Sequence, residues 1–126
     1  MGRFWLGLGI LLLLLAVGFF VHWSADSAHC AIAQTLDSAA EEMLQNNITA
    51  AHQLAQEAHA AWDKNWHSTA AFADHAPMDE IDSLFAALAL YRQTGKHQEF
   101  AAYCARIAML IRAMGESQTF NWWNLL

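Results

Sequence analysis

Histidines are the most frequent metal-ligating residues in this 126-residue chain, which contains seven of them. His52, His59 and His67 follow one another at intervals of seven and eight residues, so their imidazoles would share one face of a helix. Zinc sites on helices use pairs three or four residues apart, because one ion about 2.1 Å from each nitrogen cannot span two turns. The row therefore indicates solvent-exposed histidines rather than a metal site.

A tighter cluster lies in the stretch ADHAPMDEID, which contains Asp74, His75, Asp79, Glu80 and Asp82. Carboxylate oxygens and an imidazole are suitable ligands for a divalent cation, so Asp74, His75, Asp79 and Asp82 are the candidate metal ligands. A metal-dependent binding or sensing module is thus the alternative function. The same acidic residues could instead cap the start of a helix, and the pattern favours capping because a cap needs no ligand.

The sequence contains no recognisable catalytic motif: no G-x-S-x-G elbow, no phosphate-binding loop and no C-x-x-C-H haem attachment. We therefore expect a protein that is not an enzyme and that holds no cofactor. Cys30 and Cys104 could form a disulfide, or could remain as two unpaired thiols on apolar helix faces. The apolar spacing around both residues favours unpaired thiols.

Four tryptophans are candidates for contact with a partner. Trp62 and Trp66 are four residues apart and would share a helix face, where core packing is the simpler interpretation. Trp122 and Trp123 lie in the apolar ending FNWWNLL, at a position where chains are usually polar. Because tryptophan dominates the energetics of protein interfaces, these four residues are the predicted partner contacts.

The elements that would position these residues begin with an apolar N-terminal segment. Residues 4–21 contain no charge, and Trp5 and Trp23 flank them as indoles do at membrane interfaces. We predict a transmembrane helix over residues 1–23, since about 20 apolar residues cross a hydrocarbon layer of about 30 Å. A cleavable signal peptide is the alternative, with Ala-Asp-Ser at residues 25–27 as its cleavage site.

The charges predict the orientation of this helix. Arg3 lies on one flank and Asp26 on the other, which favours a cytoplasmic N-terminus and an extracytoplasmic remainder in the cell membrane. All 12 acidic residues but only 5 of the 6 basic ones follow the segment, which argues against a nucleic-acid partner. The expected partners are the lipid bilayer and another membrane or envelope protein, with a homo-oligomer as a further alternative.

Apolar residues at steps of three and four predict helices through the rest of the chain. The four stripes are Ile32-Leu36-Ala39-Met43, Ala51-Leu54-Ala58-Trp62, Ile81-Leu84-Phe85-Leu88-Tyr91 and Phe100-Cys104-Ile107-Ile111-Met114. Pro77 suits a first turn, and Gly95 and Gly115 suit helix ends. The first stripe could continue the transmembrane helix, and the first two could form a single helix through Asn46-Asn47.

The predicted fold is therefore all-α, with an N-terminal transmembrane helix followed by a small antiparallel bundle of three to four helices. Its predicted parts are residues 1–23 as anchor, 24–115 as bundle, and 116–126 as an apolar tail docked on the bundle or the membrane interface. With four helices after the membrane, the tail returns to the membrane-proximal end. With the first two stripes fused, it would lie at the distal end.

The order of these features resembles a bacterial family of small membrane-anchored proteins of unknown function. The resemblance rests on Trp62, Trp66, Phe72, Asp74-His75, Glu80-Ile81-Asp82, Tyr91, Glu99-Phe100 and the asparagine-containing apolar tail. It implies an anchored helical architecture and no particular activity, and it favours a non-enzymatic role as the partner of another membrane protein. The turn DHAPMDEID departs from the family pattern, in which a histidine pair precedes the acidic-Ile-Asp step.

Overall fold

A computed structural model of the chain describes residues 2–69 and 75–123; side-chain surroundings are described for all of these except residues 2–3, 21–22, 25–26, 67–69, 75 and 117–123. The described residues form four α-helices, which are α1 (Gly2–Leu44), α2 (Ile48–Thr69), α3 (His75–Thr94) and α4 (His97–Trp123). No strand occurs within these ranges, so the predicted all-α class is confirmed.

Helix α1 has two halves with different surroundings. It runs for 43 residues without a break and therefore joins the predicted anchor to the first bundle helix. Every residue from Phe4 to Phe20 is exposed, whereas Ile32, Leu36 and Met43 are buried in the bundle. As far as the chain is described, none of its helices has the length and apolarity that crossing a membrane requires. The transmembrane assignment of residues 1–23 stays a prediction.

The turn between α1 and α2 shows why asparagine occurs there. Asn46 has a φ of 66°, a left-handed conformation that asparagine tolerates better than most residues. The Asn46 N–H donates to the Met43 carbonyl at 3.0 Å, and the Asn47 N–H donates to the Glu42 carbonyl at 2.9 Å. This pattern satisfies the last carbonyls of α1. The alternative of one helix through Asn46-Asn47 is therefore wrong, and α2 runs back along α1.

Glycine ends one helix as predicted and does not end another. Gly95 has a φ of 68° and follows the last residue of α3, which confirms the predicted stop. Gly115, by contrast, is buried inside α4, which continues to Trp123. The stop predicted at Gly115 is wrong, because a helix-interior glycine costs only about 1 kcal/mol, less than packing against a neighbouring helix returns. Part of the predicted tail at 116–126 is thus helical.

The core lies among the four helices. Helix α1 packs on α2 and α4, and α3 packs on α4, whereas α2 and α3 pack less closely. The largest fully buried side chains are Trp62, Phe100, Leu36, Met78, Ile81, Ile107, Ile111 and Cys104. Exposed ion pairs also join the helices, Arg112 to Asp37 between α4 and α1, and Arg106 to Glu80 between α4 and α3. The looser α2–α3 contact leaves a groove.

Candidate functional site

The groove between α2 and α3 is the candidate site. It has a volume of about 240 Å³ and is lined by His52, Ala55, Gln56, His59, Phe85, Leu88, Ala89, Arg92 and Phe100. Ala55 and Ala89 are small, so the helices leave a slot beside the larger rings of Phe85 and Phe100. Helix α4 contributes Phe100 to one end of this slot.

His52 lies at the Phe100 end of the groove. Its ring meets the ring of Phe100 edge to face, with the two centroids 5.1 Å apart. Partial burial lowers the pKa of His52, and the positive charges of Arg92 and His97 lower that pKa further. The lowered pKa favours the neutral form of the imidazole.

His59 lies two turns further along α2 and stacks on Phe85. The ring centroids are 4.5 Å apart and the ring planes differ by 12°. The His59 Nε2 atom is also 3.7 Å from the Asp63 Oδ1 atom, in an exposed pair one turn along the same helix. The stack joins α2 to α3 at the part of the groove away from His52.

Arg92 is the one lining residue of the groove with a permanent positive charge, in a chain whose formal net charge is −6. None of its lining residues carries a carboxylate, and two imidazoles and one guanidinium face it. Arg92 lies in the last turn of α3 and makes no ion pair among the described side chains. The predicted row of solvent-exposed histidines is only partly right: His59 is exposed, His52 is partly buried against Phe100, and the side chain of His67 lies outside the described residues. The contributions of Arg92 and Phe100 were missed because nothing in the sequence links them to α2.

The four predicted partner contacts have different positions. Trp62 is only 1% exposed, and its indole N–H donates to the Asp82 Oδ1 atom at 2.7 Å. Trp62 therefore packs in the core, and its buried ring leaves no face for a partner. Trp66 is partly buried against the core. Trp122 and Trp123 lie at the end of α4, and their side-chain surroundings are outside the described residues.

The predicted metal ligands are only partly described. Asp74 lies outside the described residues, and His75 begins α3 with its side chain undescribed. Asp79 is exposed, and Asp82 accepts the Trp62 hydrogen bond. Within the described part of the chain, no group of three or more histidines, cysteines and acidic residues is arranged to hold a metal ion. A metal site that includes Asp74 and His75 stays a prediction.

The capping interpretation of the same cluster is wrong for Asp79 and Glu80, whereas Asp74, which directly precedes α3, lies outside the described residues. Helix α3 begins at His75, two residues before Pro77, and its first turn contains no acidic residue. Asp79 and Glu80 therefore lie in the second turn, beyond the free N–H groups of the helix start. Glu80 instead pairs with Arg106 at 3.4 Å, and Asp82 anchors Trp62. These two carboxylates join helices, whereas the prediction had them stabilise one helix end.

The two cysteines are free thiols in different surroundings. Cys30 is exposed and Cys104 is buried in the core. Burial, and to a smaller extent the Asp37 carboxylate, raises the pKa of the Cys104 thiol to about 12. The prediction of unpaired thiols agrees with this arrangement, although the apolar face predicted for Cys30 is wrong.

Comparison with known proteins places the chain in a family. No curated protein and no solved structure matches it. A family model described as a domain of unknown function (DUF4363) matches residues 19–125, which cover the second half of α1 and helices α2 to α4. The resemblance to an uncharacterised family is confirmed to that extent. From the match over most of its length, the chain belongs to the DUF4363 family of domains of unknown function.

Proposed function

We propose that this protein is a membrane-attached interaction protein without enzymatic activity. The apolar half of α1 lies in the bilayer, with the N-terminus in the cytoplasm. The acidic bundle lies outside the cytoplasm and binds another membrane or envelope protein.

The exposure of the first half of α1 carries this proposal. All residues from Phe4 to Phe20 are exposed, with Leu13 at 64% and Phe20 at 73%. A helix that is apolar on all sides requires an apolar environment, and no other part of the described chain covers this one. At 1.5 Å per residue this stretch is about 25 Å long, which is somewhat shorter than a hydrocarbon core of about 30 Å, so its exposure and apolarity, and not its length, support the proposal.

Indole and charge positions support the attachment and its direction. Trp5 is 69% exposed and Trp23 is 65% exposed, at the two ends of the apolar stretch, where indoles suit the bilayer interface. Arg3 is the single charged side chain before the stretch, which favours retention of the N-terminus in the cytoplasm. The bundle beyond it is acidic, so attachment to an anionic lipid surface through the bundle is disfavoured.

The partner contacts that we propose are Trp66, Trp122 and Trp123. Trp66 is partly buried and so presents part of its ring. Helix α4 runs antiparallel to α1, because the chain reverses direction three times between them: at the turn before α2, between α2 and α3, and at the turn before α4. Trp122 and Trp123 therefore belong to the end of the bundle nearest the apolar half of α1. A partner that is itself embedded in the membrane would meet this end first.

Fractionation and a matched pair of variants test the attachment. Leu12→Lys with Leu14→Lys places two charges in the exposed apolar stretch, at about 2.5–3.5 kcal/mol each in a bilayer centre. Ala102→Lys with Ala105→Lys adds the same charges to exposed positions of α4. We expect the native chain and the α4 variant to resist carbonate extraction. The α1 variant should be released. Equal release of all three chains would refute membrane attachment.

Topology and partner binding need separate measurements. A reporter that is active only outside the cytoplasm should work when fused after Leu126, and activity solely from a cytoplasmic reporter would refute the orientation. Cross-linking in intact membranes should yield an adduct with another membrane protein that is weakened by Trp122→Ala with Trp123→Ala. Adducts that contain only this chain would indicate a homo-oligomer and would overturn the proposed partner.

A further inference from the structure

The α2–α3 groove carries an inference beyond membrane attachment and partner binding. We propose that it binds a small organic monocarboxylate, with the carboxylate at Arg92 and His52 and the apolar body between Phe85, Leu88 and Phe100. The binding would be a property of the bundle alone and does not depend on how α1 meets a membrane.

The charge of the lining selects an anion. Arg92 supplies the positive charge, and the imidazoles of His52 and His59 supply ring N–H groups that can donate to a carboxylate. No lining residue is acidic, although the Asp63 carboxylate lies 3.7 Å from the His59 Nε2 atom. The rest of the chain is rich in carboxylates, so this groove is a local exception to a net charge of −6. A guanidinium presents paired N–H donors that match the two oxygens of a carboxylate. The guanidinium of Arg92 makes no ion pair with a described side chain that would compete with a ligand.

The floor of the groove selects an apolar body. Phe85, Leu88 and Phe100 line this floor and are only 2%, 4% and 1% exposed, so each offers a ligand no more than the outer edge of its side chain. The edge-to-face contact of His52 with Phe100 and the stack of His59 on Phe85 hold the four rings in place. Rings in such positions favour an apolar or aromatic neighbour. A strongly hydrated inorganic anion would lose solvation against these surfaces without replacement.

The size of the groove limits the ligand. Its volume of about 240 Å³ is smaller than the roughly 300–1,000 Å³ of pockets for drug-sized ligands. A single ring or a short aliphatic chain with one carboxylate is therefore a better match than a nucleotide or a long lipid. Weak affinity is expected, because a small ligand makes few contacts.

Binding can be measured with benzoate and hexanoate on the full chain in mild detergent. The imidazole resonances of His52 should move on titration, whereas those of His29, which is buried beside Trp62, should not. Inorganic phosphate and benzyl alcohol are the comparison probes, since the first lacks the apolar body and the second lacks the charge. Phosphate or benzyl alcohol binding as tightly as benzoate would overturn the proposal.

Two variants separate the charge from the apolar slot. Arg92→Gln should weaken benzoate binding at least tenfold, while Lys64→Gln, which removes an exposed charge outside the groove, should leave binding unchanged. Ala89→Phe should block the slot and abolish binding, while Ala86→Phe, an exposed position on α3 outside the lining, should not. Circular dichroism of each variant establishes that it is folded.

The remaining outcomes also decide the matter. Failure of benzoate and hexanoate to move the His52 resonances at millimolar concentration would overturn the proposal. Equal weakening by Arg92→Gln and Lys64→Gln would show that net charge, and not the groove, attracts the anion. The membrane-fractionation result is independent of these titrations, so either inference can fail without the other.

Discussion

The hydrogen bond between Trp62 and Asp82 leads to a quantitative prediction about the stability of the bundle. The indole N–H and the carboxylate oxygen are 2.7 Å apart, and the bond joins α2 to α3, which otherwise pack loosely. A hydrogen bond to a charged group contributes about 1.5–3 kcal/mol, and a buried donor left unpaired costs about 1–3 kcal/mol. Because Asp82 is exposed, water can replace part of the lost bond, so Asp82→Ala should lower the free energy of unfolding by about 1–2 kcal/mol.

Urea unfolding of the full chain in mild detergent, followed by circular dichroism, measures this free energy. Asp82→Asn keeps an acceptor oxygen without the charge and should lose less than Asp82→Ala. Asp79→Ala is the matched control, because Asp79 is an exposed aspartate on the same helix, three residues earlier. This control should change the free energy of unfolding by about 0.5 kcal/mol or less.

A double-mutant cycle then isolates the bond itself. Trp62→Phe removes the N–H donor and keeps an aromatic ring in the core. In that background Asp82→Ala should change the free energy of unfolding by about 0.5 kcal/mol or less, so the coupling energy should approach the full 1–2 kcal/mol. An equal loss from Asp82→Ala in both backgrounds would refute the reasoning, since the carboxylate would then act on something other than the indole.

Three further predictions concern a turn, the thiols and the acidic cluster. Gly95→Ala should lower the free energy of unfolding by about 1–2 kcal/mol, because a φ of 68° strains a residue that has a Cβ. Thermal or urea unfolding measures this, and an unchanged stability would contradict it. Iodoacetamide at pH 7.5 should modify the exposed Cys30 and spare the buried Cys104 until the chain unfolds, as peptide mass spectrometry can show; equal labelling rates would contradict the burial. If the acidic cluster around His75 holds no metal, divalent ions or a chelator should leave the melting temperature unchanged. A bound metal ion at 100 times its Kd would instead raise the free energy of unfolding by about 2.7 kcal/mol. A metal-dependent rise that His75→Ala abolishes would establish the metal alternative.

Local sequence determined the helices and their buried faces. Leu36, Ile81 and Ile107 were assigned to the core from their spacing alone, and each is fully buried. This succeeds because a helix repeats every 3.6 residues, so the residues that share a face can be read from a short window. The end of α3 at Gly95 was readable for a similar reason, since a left-handed backbone position selects glycine.

Helix boundaries depended on packing that the local pattern does not contain. Gly115 has the residue type of a helix end, yet α4 continues through it while packing on α1. Helix α3 begins two residues before Pro77, which moved Asp79 and Glu80 out of the first turn. A local preference of about 1 kcal/mol is smaller than the contribution of a packed helix face, so the tertiary contact decides such positions.

The candidate site belongs wholly to the tertiary structure. Trp62 and Asp82 are 20 residues apart on different helices, and His52, Arg92 and Phe100 come to one groove from three helices. Helical periodicity states which side chains share a face of one helix. It does not state which face of another helix will lie opposite, because that depends on how the whole set of apolar surfaces packs together. The sequence therefore predicted an all-α protein with an acidic bundle, and only the packing of α1 with α2 and α4, and of α3 with α4, placed an arginine and two histidines around an apolar slot.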